Sequence, residues 1–135
     1  MAKDLVYLVT GGCGYLGEQI VKLLVTEDYV KEVRILFHIR EGSELRQFST
    51  VTFVRGDITD LNQVLKAMEG VDVVIHTAAL LDYFDNLPYH KMETVNVGGT
   101  DNVINACLAL NVTYIVFTGS IAAVGPNTLN EPMLR

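Results

Sequence analysis

Gly11, Gly14 and Gly17 stand three residues apart in the stretch "VYLVTGGCGYLG". Glycines so placed act through the backbone. The first permits a tight turn, the second lets a diphosphate come close to the main chain, and the third lets a helix pack tightly on a strand. The run before them, Val6 to Thr10, is apolar and β-branched, as in a strand buried on both faces. In the run after them Leu16, Ile20, Leu23 and Leu24 recur at helical spacing, with Glu18 and Lys22 on other faces. A helix that starts at such a turn offers unpaired N–H groups and a positive dipole end to phosphates. Tyr15 and Leu16 are expected to lie along a pyrophosphate through their amides, with the Leu16 side chain also in the core. A glycine-rich turn without a ligand is the alternative, but strand, turn and helix in this order favour a dinucleotide.

The elements that must position this turn alternate along the chain. Val33–Phe37 and Val51–Val54 read as a second and third strand, and Asp60 to Glu69 as a helix. That helix has a capping box from Asp60 and Gln63 and a left-handed cap at Gly70. Val71–Ile75 reads as a fourth strand. A long helical pattern follows from Pro88 to about Leu110, with Val103, Ile104, Cys107 and Leu108 as its core face, and Tyr114–Phe117 is a fifth strand. Apolar strands alternating with helices predict an α/β fold, a doubly wound parallel sheet in the order 3-2-1-4-5. The glycine turn then borders the crevice at the carboxyl ends of the strands.

The bulk numbers agree with one domain spanning residues 1–135, half of it hydrophobic. The formal charge of −6 is spread along the chain without a basic cluster, which argues against nucleic acid as a partner. Cys13 and Cys107 lie far apart and outside metal-ligand spacing, so they read as thiols of a reducing, cytoplasmic-side compartment. The apolar run near the N-terminus is interrupted by glycines and Glu18 and does not read as a signal peptide. "VDVVIHTAALL" is too short to span a membrane and carries Asp72 and His76. His76 either touches a ligand or packs beneath it.

The spacing Gly-x-x-Gly-x-x-Gly in "TGGCGYLG" resembles the extended short-chain dehydrogenase/reductases, as do "GDITD", "HTAA" and "VNVGGTDNVINAC". "VFTGSIAAVGPN" is similar to a segment of the 3β-hydroxysteroid dehydrogenase/isomerase group. The resemblance implies a Rossmann-like cofactor domain, NAD or NADP as cofactor, and a steroid or sterol substrate. It implies that Asp57, next to Ile58, approaches the adenine amine, that Thr77, Ala78 and Ala79 form the turn after the fourth strand, and that Thr118 lies near the cofactor. Asn96 would hold a water of a proton relay, with polar packing in mid-helix as the alternative, and Ser120 would be the catalytic hydroxyl that places the substrate oxygen. A homodimer, and attachment of longer relatives to endoplasmic reticulum or mitochondrial membranes, belong to the same implication. A nucleotide-sugar epimerase or dehydratase shares the glycine turn and Asp57, but "VGPN" argues against it.

Three departures from the resembled pattern stand out. Phe37 occupies the place where an acidic residue holds the ribose of NAD, and His38 and Arg40 follow. These two could face a 2′-phosphate, as in NADP, or be ordinary loop residues. Gly119 stands where a serine is usual. The group's Tyr-x-x-x-Lys pair, its general acid/base, has no counterpart, since none of the six tyrosines is followed by lysine four positions on. As a bare chain this reads either as the cofactor-binding portion of an oxidoreductase, in effect a truncated one, or as a non-catalytic dinucleotide-binding module.

Overall fold

The computed structural model describes residues 4–39 and 44–121. Strands β1 (Leu5–Thr10), β2 (Val30–Phe37), β3 (Val51–Arg55), β4 (Val73–His76) and β5 (Tyr114–Phe117) form one parallel sheet in the order β3-β2-β1-β4-β5. This is the order the alternation predicts. Thr10 pairs with both Leu36 and His76, Phe37 with Arg55, and His76 with Phe117. The carboxyl ends of all five strands therefore meet along one edge, where the loops can converge on a ligand.

Alternation along the strands sends successive side chains to opposite faces and builds two cores. Leu8, Leu36 and Val74 pack with Val64, Met68, Val103 and Ala106 on one face. These last four belong to helices α2 (Leu61–Met68) and α4 (Gly99–Ala109). Val9, Val33, Ile35 and Ile75 pack on the other face with Val21 and Leu24 of helix α1 (Tyr15–Leu24), and with Leu45 of a short 3-10 turn over Glu44–Gln47.

Helix α1 keeps Ile20 and Leu24 of the expected stripe against the core but turns its other two leucines out. Gly17, Val21 and Leu24 are buried, whereas Leu16 is 50% and Leu23 69% exposed. The expectation that the Leu16 side chain lies in the core is thus corrected. The glycine at position 17 lets the helix press against the preceding turn, and that contact, not the number of leucines, sets its rotation. The central helix behaves likewise. Val103, Ala106 and Cys107 are buried with Gly99, while Ile104 and Leu108 are exposed. Small residues mark the side that approaches α2 and Ile58.

Helix α2 begins as expected, with Asp60 Oδ1 accepting from the amides of Asn62 and Gln63 at 3.0 and 3.3 Å. The Gln63 side chain, however, accepts from the Asp57 amide at 2.8 Å instead of reaching back to the Asp60 amide, and donates to Asp60 Oδ2 at 3.0 Å. Gly70 closes the segment with φ +73°. The long pattern from Pro88 is divided into a first turn of helix, α3 (Tyr89–Glu93), a π-helical turn (Thr94–Gly98) and α4. All four residues of β5 are exposed, so the expectation of apolar strands covered on both faces holds for β1 and β4 but not for this edge strand.

Candidate functional site

The glycine turn sits where β1 ends. Gly11 has φ +66°, a conformation that side chains rarely tolerate, and its amide donates to the Leu36 carbonyl at 3.2 Å. A Cβ at this position would lie 2.9 Å from the Ala78 backbone, and one at Gly17 would lie 2.8 Å from the Gly12 Cα. The first glycine therefore gives the turn its hand and its contact with the β4 loop, and the third lets helix and turn touch. Gly14 caps α1 with its backbone alone, and no side chain bonds the helix N-terminus through it. Tyr15, at the start of the helix, is 91% exposed. Backbone donors and the positive end of α1 thus face outward at the carboxyl edge of the sheet, which suits an anionic group.

Beside the turn lies a cleft of about 660 Å³. Of the residues expected from sequence to serve a ligand, Gly11, Gly14, Phe37, His38, Asp57, Ile58, Ala78 and Ala79 border it. Tyr15, Leu16, Gly17, Thr77, Asn96, Thr118 and Ser120 are not part of its lining. Arg40 lies outside the described residues. Sequence reasoning missed His90, Lys91, Thr94 and Val95, which border the cleft from α3 and the π turn. The signal for them was weak, a lone basic pair in the first turn of a helix.

At the end of the cleft under β2 and β3, Phe37 packs its ring edge-on to Phe53, with centroids 6.2 Å apart. Phe37, expected from sequence to stand where a ribose is held, therefore has a packing role. His38 Nε2 lies 3.4 Å from Asp57 Oδ2, and Asp57 Oδ1 accepts from the Thr59 amide at 2.9 Å. Partial burial works to raise the Asp57 pKa, but hydrogen bonds from Thr59 and the neighbouring His38 outweigh it and hold the carboxyl below its usual value. Asp57 is thus an ionised acceptor at the rim of the cleft, fit to receive an N–H donor. Gln63 and Asp60 hold the backbone around it, and Asn102 Nδ2 ties the same loop to α4 by donating to the Ile58 carbonyl at 2.9 Å.

The opposite wall, Ala78 to Leu80, is held by side chains. Thr10 Oγ1 accepts from the amides of Thr77 and Ala78 at 3.1 and 3.2 Å. Asn96 clamps Leu80 at both ends, its Oδ1 accepting from the Leu80 amide at 2.7 Å and its Nδ2 donating to the Leu80 carbonyl at 2.9 Å. His76 is fully buried beneath this wall and stacks on Phe117, with ring centroids 5.6 Å apart. Of the two roles open to it, it takes the packing one. Thr118 donates to the His76 carbonyl through its amide and its hydroxyl, both at 3.3 Å. Ser120 is exposed two residues further on, past the carboxyl end of β5.

Comparison with known proteins bears on what such a cleft serves. The profile of the 3-beta hydroxysteroid dehydrogenase/isomerase family matches residues 8–135. The chain belongs to this family. Among its relatives, 3 beta-hydroxysteroid dehydrogenase type 7 of Mus musculus is 44% identical over 97% of this chain and 37% of its own length. The chain therefore spans less than half the length of the curated relatives it matches. The structure of Pen from Bacillus thuringiensis superposes with a TM-score of 0.82 at 33% identity, covering 92% of this chain and 40% of that one. UDP-glucose 4-epimerase from Brucella ovis, solved in complex with NAD, gives 0.78 at 29% identity, over 90% and 38%. Family membership accounts for the glycine turn, the strand order and the segment "VFTGSIAAVGPN" together, the "VGPN" of which lies outside the described residues.

Proposed function

We propose that this chain is the NAD(P)-binding part of an oxidoreductase that interconverts a secondary alcohol and a ketone on a steroid or sterol. The observation that carries the reading is the glycine turn opening onto a cleft whose far rim holds the ionised Asp57. Amides at the start of α1 would bind the diphosphate, and the Asp57 carboxylate would accept from the adenine amine. His38 stands beside Asp57 at the rim, where a 2′-phosphate of NADP would add a further negative charge. The Ala78–Leu80 wall borders the other side. When bound, the cofactor supplies a nicotinamide that takes up or gives back hydride. Ser120 would hydrogen-bond the substrate oxygen, a role supported by the family segment in which it stands. The same kinship supports a homodimer and membrane attachment of the whole protein, and the two cysteines, not joined as a disulfide, support a reducing compartment. Among the described residues no helix is long and apolar enough to cross a membrane.

A second reading has its own support. The 135 residues hold no tyrosine followed by lysine four positions on, which favours a module that binds a dinucleotide without turning over a substrate. Incubating the protein with a 3β-hydroxysteroid and either oxidised cofactor separates the two. Steroid-dependent formation of reduced nicotinamide supports the oxidoreductase. Cofactor binding without turnover supports the second reading, and absence of binding contradicts both.

A further inference from the structure

His76 joins two segments of the cleft wall that are far apart in sequence. Its Nδ1 lies 2.6 Å from Thr10 Oγ1, and its Nε2 lies 2.9 Å from Thr100 Oγ1. The partners' other bonds decide which nitrogen carries the proton. The Thr100 hydroxyl spends its single hydrogen on the Asn96 carbonyl at 2.6 Å, so towards Nε2 it can only accept. Thr10 Oγ1 already accepts from the Thr77 and Ala78 amides, so its own hydrogen is left for Nδ1. Each hydroxyl hydrogen and each ring nitrogen then has a partner, and no buried side-chain nitrogen or oxygen among the described residues is left unsatisfied.

We propose that His76 is a positioning residue for the dinucleotide site, fixed as the neutral imidazole with its proton on Nε2, which locks the Ala78–Leu80 wall to the π turn of the central helix. The inference rests on the dinucleotide reading of the cleft. On one side the lock runs from Nδ1 through Thr10 to the amides of Thr77 and Ala78. On the other it runs from Nε2 through Thr100 to the carbonyl of Asn96, whose side chain returns to Leu80. The π turn it reaches contributes Thr94 and Val95 to the cleft. Such turns recur where a helix must adjust to a functional site. Burial agrees with the neutral form, since it pushes the imidazole below its ordinary pKa with no charged group contributing. The adjacent β5 places the apolar Phe117 ring over the imidazole.

Two variants and one spectrum test the lock. Thr100 does not line the cleft, and Thr100→Val keeps its shape while removing the hydroxyl. With that acceptor gone, affinity for NADH or NADPH, whichever binds better, should fall by up to about tenfold at a temperature well below the melting point, the range of one hydrogen bond. Thr100→Ser, which restores the hydroxyl, should bind close to the unchanged protein. The imidazole nitrogen spectrum of isotopically labelled unchanged protein should show Nδ1 bare and Nε2 protonated at neutral pH. A lower melting temperature for Thr100→Val with unchanged affinity would overturn the positioning role, as would a proton on Nδ1. If Thr100→Val does not fold, the spectrum and the serine variant decide. Failure of the unchanged protein to bind either dinucleotide would instead defeat the reading of the cleft, while the spectrum still judges the lock.

Discussion

The two walls of the cleft are made in different ways. The β1–α1 wall is backbone pressed on backbone, and its shape depends on side chains being absent at Gly11 and Gly17. The β4 wall is loop backbone hung on side chains, with Thr10, Asn96, Thr100 and His76 supplying the hydrogen bonds. The first is rigid because no added atom fits. The second is rigid because its polar side chains are all hydrogen-bonded, and it can be loosened a bond at a time. A ligand that spans both walls is gripped by one surface that cannot adapt and another whose position the protein can tune.

Substitutions should separate the walls by size of effect. Gly17→Ala places a Cβ against the Gly11 and Gly12 backbone and should cost about 3 kcal/mol or prevent folding, read by thermal or urea unfolding. On the other wall, His76→Phe keeps a ring against Phe117 but leaves the Thr10 hydroxyl without its acceptor. It should cost about 2 kcal/mol in urea while preserving the circular dichroism of the fold. A loss from His76→Phe as large as from Gly17→Ala would erase the distinction. At the outer rim, Asp60→Ala removes the α2 cap and should cost about 1 kcal/mol, with a smaller change in cofactor affinity than Thr100→Val.

The smallest effect is on pH dependence. Burial depresses the folded-state pKa of His76 below its ordinary value of 6.5, so the unfolded chain takes up that proton first as pH falls. The stability due to its neutral form is complete above 6.5 and is lost as pH drops from there through the lower folded-state value. Unfolding free energy should therefore decline on moderate acidification in the unchanged protein, and more gently in His76→Phe. Equal slopes in the two would show that the histidine titrates alike folded and unfolded.

The walls also differed in how far they could be read from sequence. The glycines and the helix start they shape lie within a few residues of one another, so spacing alone conveyed the turn's place between strand and helix, though not its contacts with Leu36 and Ala78. Strand order followed from the alternation of elements, because parallel strands with helical crossovers leave few topologies. The β4 wall is non-local: Thr10 and His76 are 66 residues apart, Asn96 and Leu80 16 apart. No spacing announces such pairs, and a histidine ending an apolar strand has several ordinary explanations. Arg34 was hidden for the same reason. It leaves β2 to donate to the carbonyls of Ala67 and Glu69, both at 2.7 Å, and so finishes α2. The misassigned core face of α1 has another cause. Counting leucines ignores that a glycine gives closer approach than any side chain, so the Gly17 side faces inward and Leu16 turns out.

A parallel fluorescence titration of the protein with NADH and NADPH tests the central claim, that the cleft between these walls holds a dinucleotide. Saturable binding of at least one of them by the folded protein, weakened by Asp57→Ala, is the predicted result. A protein that is folded by circular dichroism yet binds neither, or binds with no dependence on Asp57, would contradict the account of the cleft.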